Sequence, residues 1–214
     1  SGYYWITPSK HHSRKSMLVY CDQTTSGGGW TVIQRRHNGS VDFDRDWQAY
    51  KVGFGAAEGE YWVGTDMLHY MTKYSSGQYI GSELRVDVES LAGMLGEAEY
   101  KHFNVGPETN NYLLEVRNYT GTIGDALSYH DNSYFSTKDR DEDSGSRNCA
   151  NEYKGGWWYN QCLNASLNAP YLQTQLHPDG YDGIRWKSWG SNVIKKVEMK
   201  VRPGNSEYCH SPKK

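Results

Sequence analysis

The stretch from Asp139 to Cys162, DRDEDSGSRNCANEYKGGWWYNQC, constrains this chain more than any other. Asp139, Asp141 and Asp143 alternate and run into a Ser/Gly loop. Cys149 and Cys162 then close a short loop carrying Tyr153, a Gly-Gly pair, Trp157, Trp158 and Tyr159. Calcium takes roughly six to eight oxygen ligands in flexible geometry, so alternating acids followed by a glycine-bearing turn with free carbonyls suit a hard cation. A Cys149–Cys162 disulfide contributes roughly 3 kcal/mol in the chain-entropy picture, and its larger role is to fix the loop. An aromatic loop stapled beside the acids is a candidate pocket for a small ligand.

The 214 residues suffice for a sizeable core. With 23 basic and 25 acidic residues and a net charge of -2, no basic stripe exists to attract nucleic acid, so no nucleic-acid partner is expected. Tyr (18), Trp (8) and Gly (23) are abundant, which suits a tightly turned fold with a Trp-rich core. No apolar run is long enough for a membrane segment, and no signal peptide is recognisable, so the chain reads as beginning inside a longer protein. Four widely spaced cysteines without a C-x-x-C pair argue against structural zinc. Sequons at Asn38, Asn118 and Asn164 are expected glycosylation sites, and with an even cysteine count they favour a secreted, extracellular setting. The histidines are scattered and no G-x-S-x-G, H-E-x-x-H or phosphate loop occurs, so no enzyme and no catalytic residue is expected.

Tyr3 to Ile6, Met17 to Cys21 and Trp30 to Gln34 read as strands, with glycine turns between them. Asp42 to Tyr50 and Tyr61 to Met71 read as short helices. Glu83 to Val88 alternates as a half-buried strand should; Ala98 to Val105, Tyr112 to Val116 and Val193 to Val201 extend the sheet. From about Ser128 to Gly183 regularity fades, which points to functional loops. The expected class is α+β, a central antiparallel sheet with short helices and a loop-rich C-terminal part.

Several fragments together resemble the fibrinogen-related domain, the C-terminal module of fibrinogen chains, ficolins, tenascins and angiopoietins. They are Val19-Tyr20-Cys21-Asp22, Gly27 to Arg36, Gly59-Glu60-Tyr61-Trp62-Val63-Gly64, Phe135-Ser136-Thr137, the Asp-rich loop, Asn148-Cys149-Ala150, Gly156-Trp157-Trp158-Tyr159, Ser166-Leu167-Asn168 and Glu198 to Pro203. The resemblance implies one fibrinogen C-terminal-like domain over 1–214. Within it, 1–40 would be an N-terminal subdomain, 41–125 plus 193–203 the sheet, and 126–192 the calcium- and ligand-binding part.

It further implies a calcium ion held by the Asp141 and Asp143 side chains and the Gly145 and Arg147 carbonyls. Asp139 becomes a neighbouring or solvated acid, and an EF-hand fails on spacing because Ala150 stands where a bidentate Glu would be. Ficolin-like members bind acetyl groups beside this ion. Carried over, the walls are Tyr153 and Tyr181, the donors are the amides of Cys162 and Leu163, and the Gln161–Cys162 peptide is cis; Trp157 and Trp158 fall in the core. The expected function is calcium-dependent recognition of acetylated carbohydrates such as N-acetylglucosamine in innate immunity, as a homo-oligomer through an N-terminal region. The alternative is a protein-ligand module of the angiopoietin, tenascin or fibrinogen type, in which Asp182 could meet a peptide amino terminus. Leu163, where many members have His, departs from the acetyl-binding pattern. Cys21 pairs either with Cys209 or with a cysteine upstream of Ser1.

Overall fold

The computed structural model describes residues 1–6, 16–72, 81–172, 183–190 and 193–203. In chain order the elements begin with β1 (Gly2–Ile6), β2 (Met17–Asp22) and β3 (Trp30–Arg36). Then come α1 (Trp47–Val52), β4 (Phe54–Gly55), β5 (Tyr61–Trp62) and α2 (Thr65–Thr72). The sheet continues with β6 (Ser82–Ser90), β7 (Leu95–Val105) and β8 (Leu114–Gly121). The last elements are α3 (Cys149–Tyr153), β9 (Ala165–Ser166), β10 (Arg185–Trp186) and β11 (Ile194–Pro203).

The main sheet is antiparallel in order β1-β2-β3-β11-β6-β7-β8, with β4 and β5 attached beside β3. The chain's late strand β11 thus lies between two early ones: Val197 faces Arg36 on one side and Val88 on the other. The sheet crosses the subdomain boundary placed near residue 40 and joins 1–40 to the strands that follow. Alternation explains the faces. Leu84, Val86 and Val88 are buried on β6, while Glu83, Arg85, Asp87 and Glu89 between them are half-buried. The polar face is cross-linked by ion pairs, with Lys200 only 5% exposed and 2.8 Å from both Asp22 and Asp87.

The seven expected strands are present, with ends within three residues except that β8 runs five residues past Val116, the two-residue strands β4, β5, β9 and β10 are additional, and the α+β class holds. Two helices start later than expected. Asp42 accepts from Asp44 N at 2.8 Å, an Asx turn that competes with helix, and α1 begins only after Asp46, whose side chain accepts from Ala49 N at 2.8 Å. Tyr61 and Trp62 belong to β5, paired with β3, so only the second half of that stretch is helical. Gly53 ends α1 at φ 91°, and a Cβ there would lie 2.8 Å from the Val63 carbonyl, so the turn between α1 and β4 needs glycine.

Glu60 is a buried acid that organises the Asn38-Gly39 turn. Its carboxylate accepts the backbone N–H of His37 (2.8 Å), Asn38 (3.0 Å), Gly39 (2.9 Å) and Val41 (3.0 Å). Despite burial, which pushes the carboxyl up, these four donors hold it below its ordinary value. Glu60→Gln is expected to cost about 2 kcal/mol, measured by urea unfolding, because charge-assisted bonds become neutral ones and one oxygen becomes a donor facing donors.

Candidate recognition site

Two loops meet at the end of the molecule built from 126–172. The first carries the acids. Thr137 and Arg140 pair across a tight turn, and Glu142 N donates to Ser136 Oγ at 2.9 Å, so the acidic run leaves a fixed base. Arg140 packs over the Trp47 ring at 3.9 Å and donates to Asn111 and Glu142. Asp139 is exposed, yet it accepts from Trp47 N at 2.9 Å and from Thr137 Oγ1 at 2.7 Å, so it supports the first turn of α1.

Asp143 ties the acidic loop to α3. Its Oδ1 accepts from Gly145 N at 2.7 Å and its Oδ2 from Cys149 N at 2.8 Å. Asn148 caps the same helix by accepting from Asn151 N at 2.9 Å. Burial and the neighbouring Asp141 carboxylate push the Asp143 carboxyl above its ordinary value. A Cβ placed on Gly145 would lie 2.8 Å from Asp143 Oδ1 and 3.0 Å from the Arg147 carbonyl, so a carboxylate and a carbonyl converge on one small space. The residues named for calcium therefore fit it in kind, as hard oxygen donors: two carboxylates and main-chain carbonyls.

The second loop is closed by the Cys149–Cys162 disulfide. Trp157, Trp158 and Tyr159 are fully buried, as core residues should be; Trp158 Nε1 donates to the Tyr112 carbonyl at 2.8 Å and the Tyr159 hydroxyl to the Gly155 carbonyl at 2.9 Å. Tyr153 stacks on Tyr159 with ring centroids 6.5 Å apart. The Gln161–Cys162 peptide is cis, as the resemblance implies.

Two residues that sequence reasoning passed over hold this segment. The Tyr129 hydroxyl donates to the Gln161 carbonyl at 3.2 Å, and Asn160 Nδ2 donates back to the Tyr129 carbonyl at 3.1 Å. His130 is fully buried, with Nδ1 2.7 Å from the Trp158 carbonyl and Nε2 accepting from Asn164 N (3.2 Å) and Ala165 N (3.0 Å). Two donors on Nε2 fix the neutral tautomer with hydrogen on Nδ1. No local motif marks His130, because its partners lie some thirty positions away in the chain.

Between the loops lies an open depression of about 530 Å3, lined by Ser144 to Arg147 on one side and by Glu152, Tyr153, Gln161 and Cys162 on the other. Arg147 and Glu152 form an ion pair of 3.2 Å at its rim. The structure thus brings Tyr153 and Cys162 together with the calcium-loop residues Gly145 and Arg147. Leu163 is half-buried and packs against the core. Tyr181 and Asp182 lie outside the described residues, as does Cys209, so the expected second wall, the peptide-meeting acid and the Cys21–Cys209 pairing are not described. Among the described residues no helix is long and apolar enough to cross a membrane.

A model of the C-terminal globular domain of fibrinogen beta and gamma chains matches residues 1–204. Human Angiopoietin-related protein 7 is 45% identical over 206 residues, covering 95% of this chain and 58% of that protein. Human Fibrinogen C domain-containing protein 1 is 43% identical over 209 residues, covering 94% of this chain and 44% of that protein. The chain therefore spans less than two thirds of the length of these curated relatives. Among solved structures, the fibrinogen-like globe domain of human ANGPTL2 superposes with a TM-score of 0.87 at 40% identity, covering 95% of this chain and 93% of that one. Lamprey fibrin D-dimer, solved with the peptide ligand Gly-His-Arg-Pro-amide, superposes with a TM-score of 0.82 at 31% identity, covering 100% of this chain and 72% of that one.

Proposed function

The chain belongs to the fibrinogen C-terminal domain family, and on that premise we propose that it is a secreted, non-catalytic binding module of the angiopoietin-related type, taking a protein or peptide partner at the depression between the acidic and disulfide loops. The observation that carries this reading is the chemistry of the lining. Among the described residues, two serines, Arg147, Glu152 and Gln161 line it beside one aromatic side chain, Tyr153. An acetyl methyl needs apolar walls, whereas a peptide brings main-chain and charged groups that suit polar ones. Leu163, half-buried against the core, is not among the described residues that line the depression, which supports the same reading. So does the peptide carried by the lamprey fibrin relative.

Asp141, Asp143 and the carbonyls of Gly145 and Arg147 would hold calcium, with water completing the shell. When bound, the ion supplies fixed positive charge that braces the acidic loop, while this chain's own Asp143 couples that loop to α3. A single shallow site binds weakly, so a homo-oligomer displaying several copies would gain avidity.

Acetylated carbohydrate is the second reading, favoured by Tyr153 standing beside Cys162 on one wall. Passage over an acetylated resin in calcium buffer separates the two. The protein is expected in the flow-through; retention that free N-acetylglucosamine or a chelator reverses overturns the peptide reading in favour of the sugar.

A further inference from the structure

Among the described residues, the main run of the sheet ends on the edge strands β1 and β8, with the short β4 a further edge beside β5. An edge strand presents unpaired N–H and C=O groups that can template another chain, and proteins cover or interrupt such edges. On β8 the cover is partial. Leu114 N donates to the Ser133 carbonyl at 3.0 Å, Asn132 N donates to the Leu114 carbonyl at 2.8 Å, and Val116 N donates to Asp131 Oδ1 at 2.8 Å. Outward main-chain groups alternate along a strand, so the next outward positions are Asn118 and Thr120. The segment 131–133 does not follow that far, and Arg117, Asn118 and Thr120 are all exposed. Asn118 itself adopts the left-handed region at φ 61°, a local break in the strand.

This end of β8, which no described segment covers, is also the sequon Asn118-Tyr119-Thr120. We propose that Asn118 carries an N-linked glycan and that this glycan covers the open end of β8 against a further strand. In the attachment step Asn118 Nδ2 forms a bond to the anomeric carbon of a lipid-diphosphate-linked oligosaccharide. The bond from that carbon to the diphosphate breaks, the lipid diphosphate leaves, and the nitrogen gives up one proton. The other sequons sit differently. Asn38 is exposed but lies in the turn organised by Glu60, where its Oδ1 accepts from Ser40 N at 3.0 Å. Asn164 is half-buried and precedes the buried Ala165 and Ser166 of β9, and its carbonyl accepts from Lys187 N at 2.8 Å.

The inference rests on the reading of the chain as secreted. The whole chain, exported from animal cells behind a cleavable leader, is digested and mapped after peptide N-glycosidase treatment, alongside Asn118→Gln and Thr120→Ala. The expected result is a glycosylated Asn118 peptide, loss of one glycan mass in either variant, and a self-associated fraction in sedimentation that rises at least about threefold in both, with unchanged circular dichroism. Exported protein with a bare Asn118 overturns the proposal. Variants that lose the glycan but associate no more than the parent overturn its covering role. A chain retained inside the cell without glycan overturns both this proposal and the secreted reading, and its location tells that outcome from the others.

Discussion

Replacing His130 with Ala is expected to destabilise the domain by about 4 kcal/mol. The ring is fully buried among Trp157, Trp158 and the segment that follows the second loop cysteine, so truncation leaves a cavity. It also strands three backbone groups, the Trp158 carbonyl and the amides of Asn164 and Ala165, each worth about 1 kcal/mol or more when left without a partner. The same geometry gives a pH dependence. Protonation would place a hydrogen on Nε2 against two amides that already point at it. Burial holds the imidazole down to about 4, against about 6.5 in an unfolded chain. The unfolded state therefore binds the proton first as pH falls. The contribution is fully present above about pH 6.5 and is lost towards pH 4, about 3 kcal/mol in all. Urea midpoints at pH 7 and 4.5 check this: the pH-dependent loss should be several-fold smaller in His130→Ala than in the parent, and equal losses in both would exclude His130 as its source.

Calcium at a hundredfold excess over its dissociation constant is expected to add about 2.7 kcal/mol, a rise in thermal midpoint of about 5 to 10 °C for a chain of this size. Asp141→Asn is the clean control. Asp141 is exposed and the bond it accepts from Asp143 N is long at 3.4 Å, so the calcium-free midpoint should hardly move while the calcium increment disappears. Asp143→Asn should lower the calcium-free midpoint as well, because that carboxylate accepts from Gly145 N and Cys149 N. An increment that survives Asp141→Asn would place the ion elsewhere.

What could be read from the sequence was local and periodic. The alternation of Glu83 to Val88 and of Val193 to Val201 located two neighbouring central strands, because period two alone decides which face is buried. The cysteine-bounded loop and its buried tryptophans were legible for the same reason: composition and spacing sit within one short segment. The residues that sequence reasoning missed act at long range. Glu60 caps a turn some twenty positions earlier, Asp139 supports α1 from 92 positions away, and His130 grips a loop 34 to 35 positions later. Nothing in their neighbours announces those partners. α1 starts later than expected because the Asp42 carboxylate accepts from Asp44 N in an Asx turn that competes with helix.

The central claim is that recognition happens at the depression shared by Arg147, Tyr153 and Cys162. The most direct measurement is binding of the calcium-loaded protein to an array of animal cell-surface receptor ectodomains, with Tyr153→Ala and Arg147→Glu run beside the parent. Tyrosine and arginine at the centre of an interface carry a large share of its energy, so affinity for any bound member should fall about tenfold or more in each variant, with the thermal midpoint preserved in Arg147→Glu and lowered in Tyr153→Ala, which also loses its stacking on Tyr159. Binding that both variants retain at parental affinity would contradict the account and move recognition to another face of the domain.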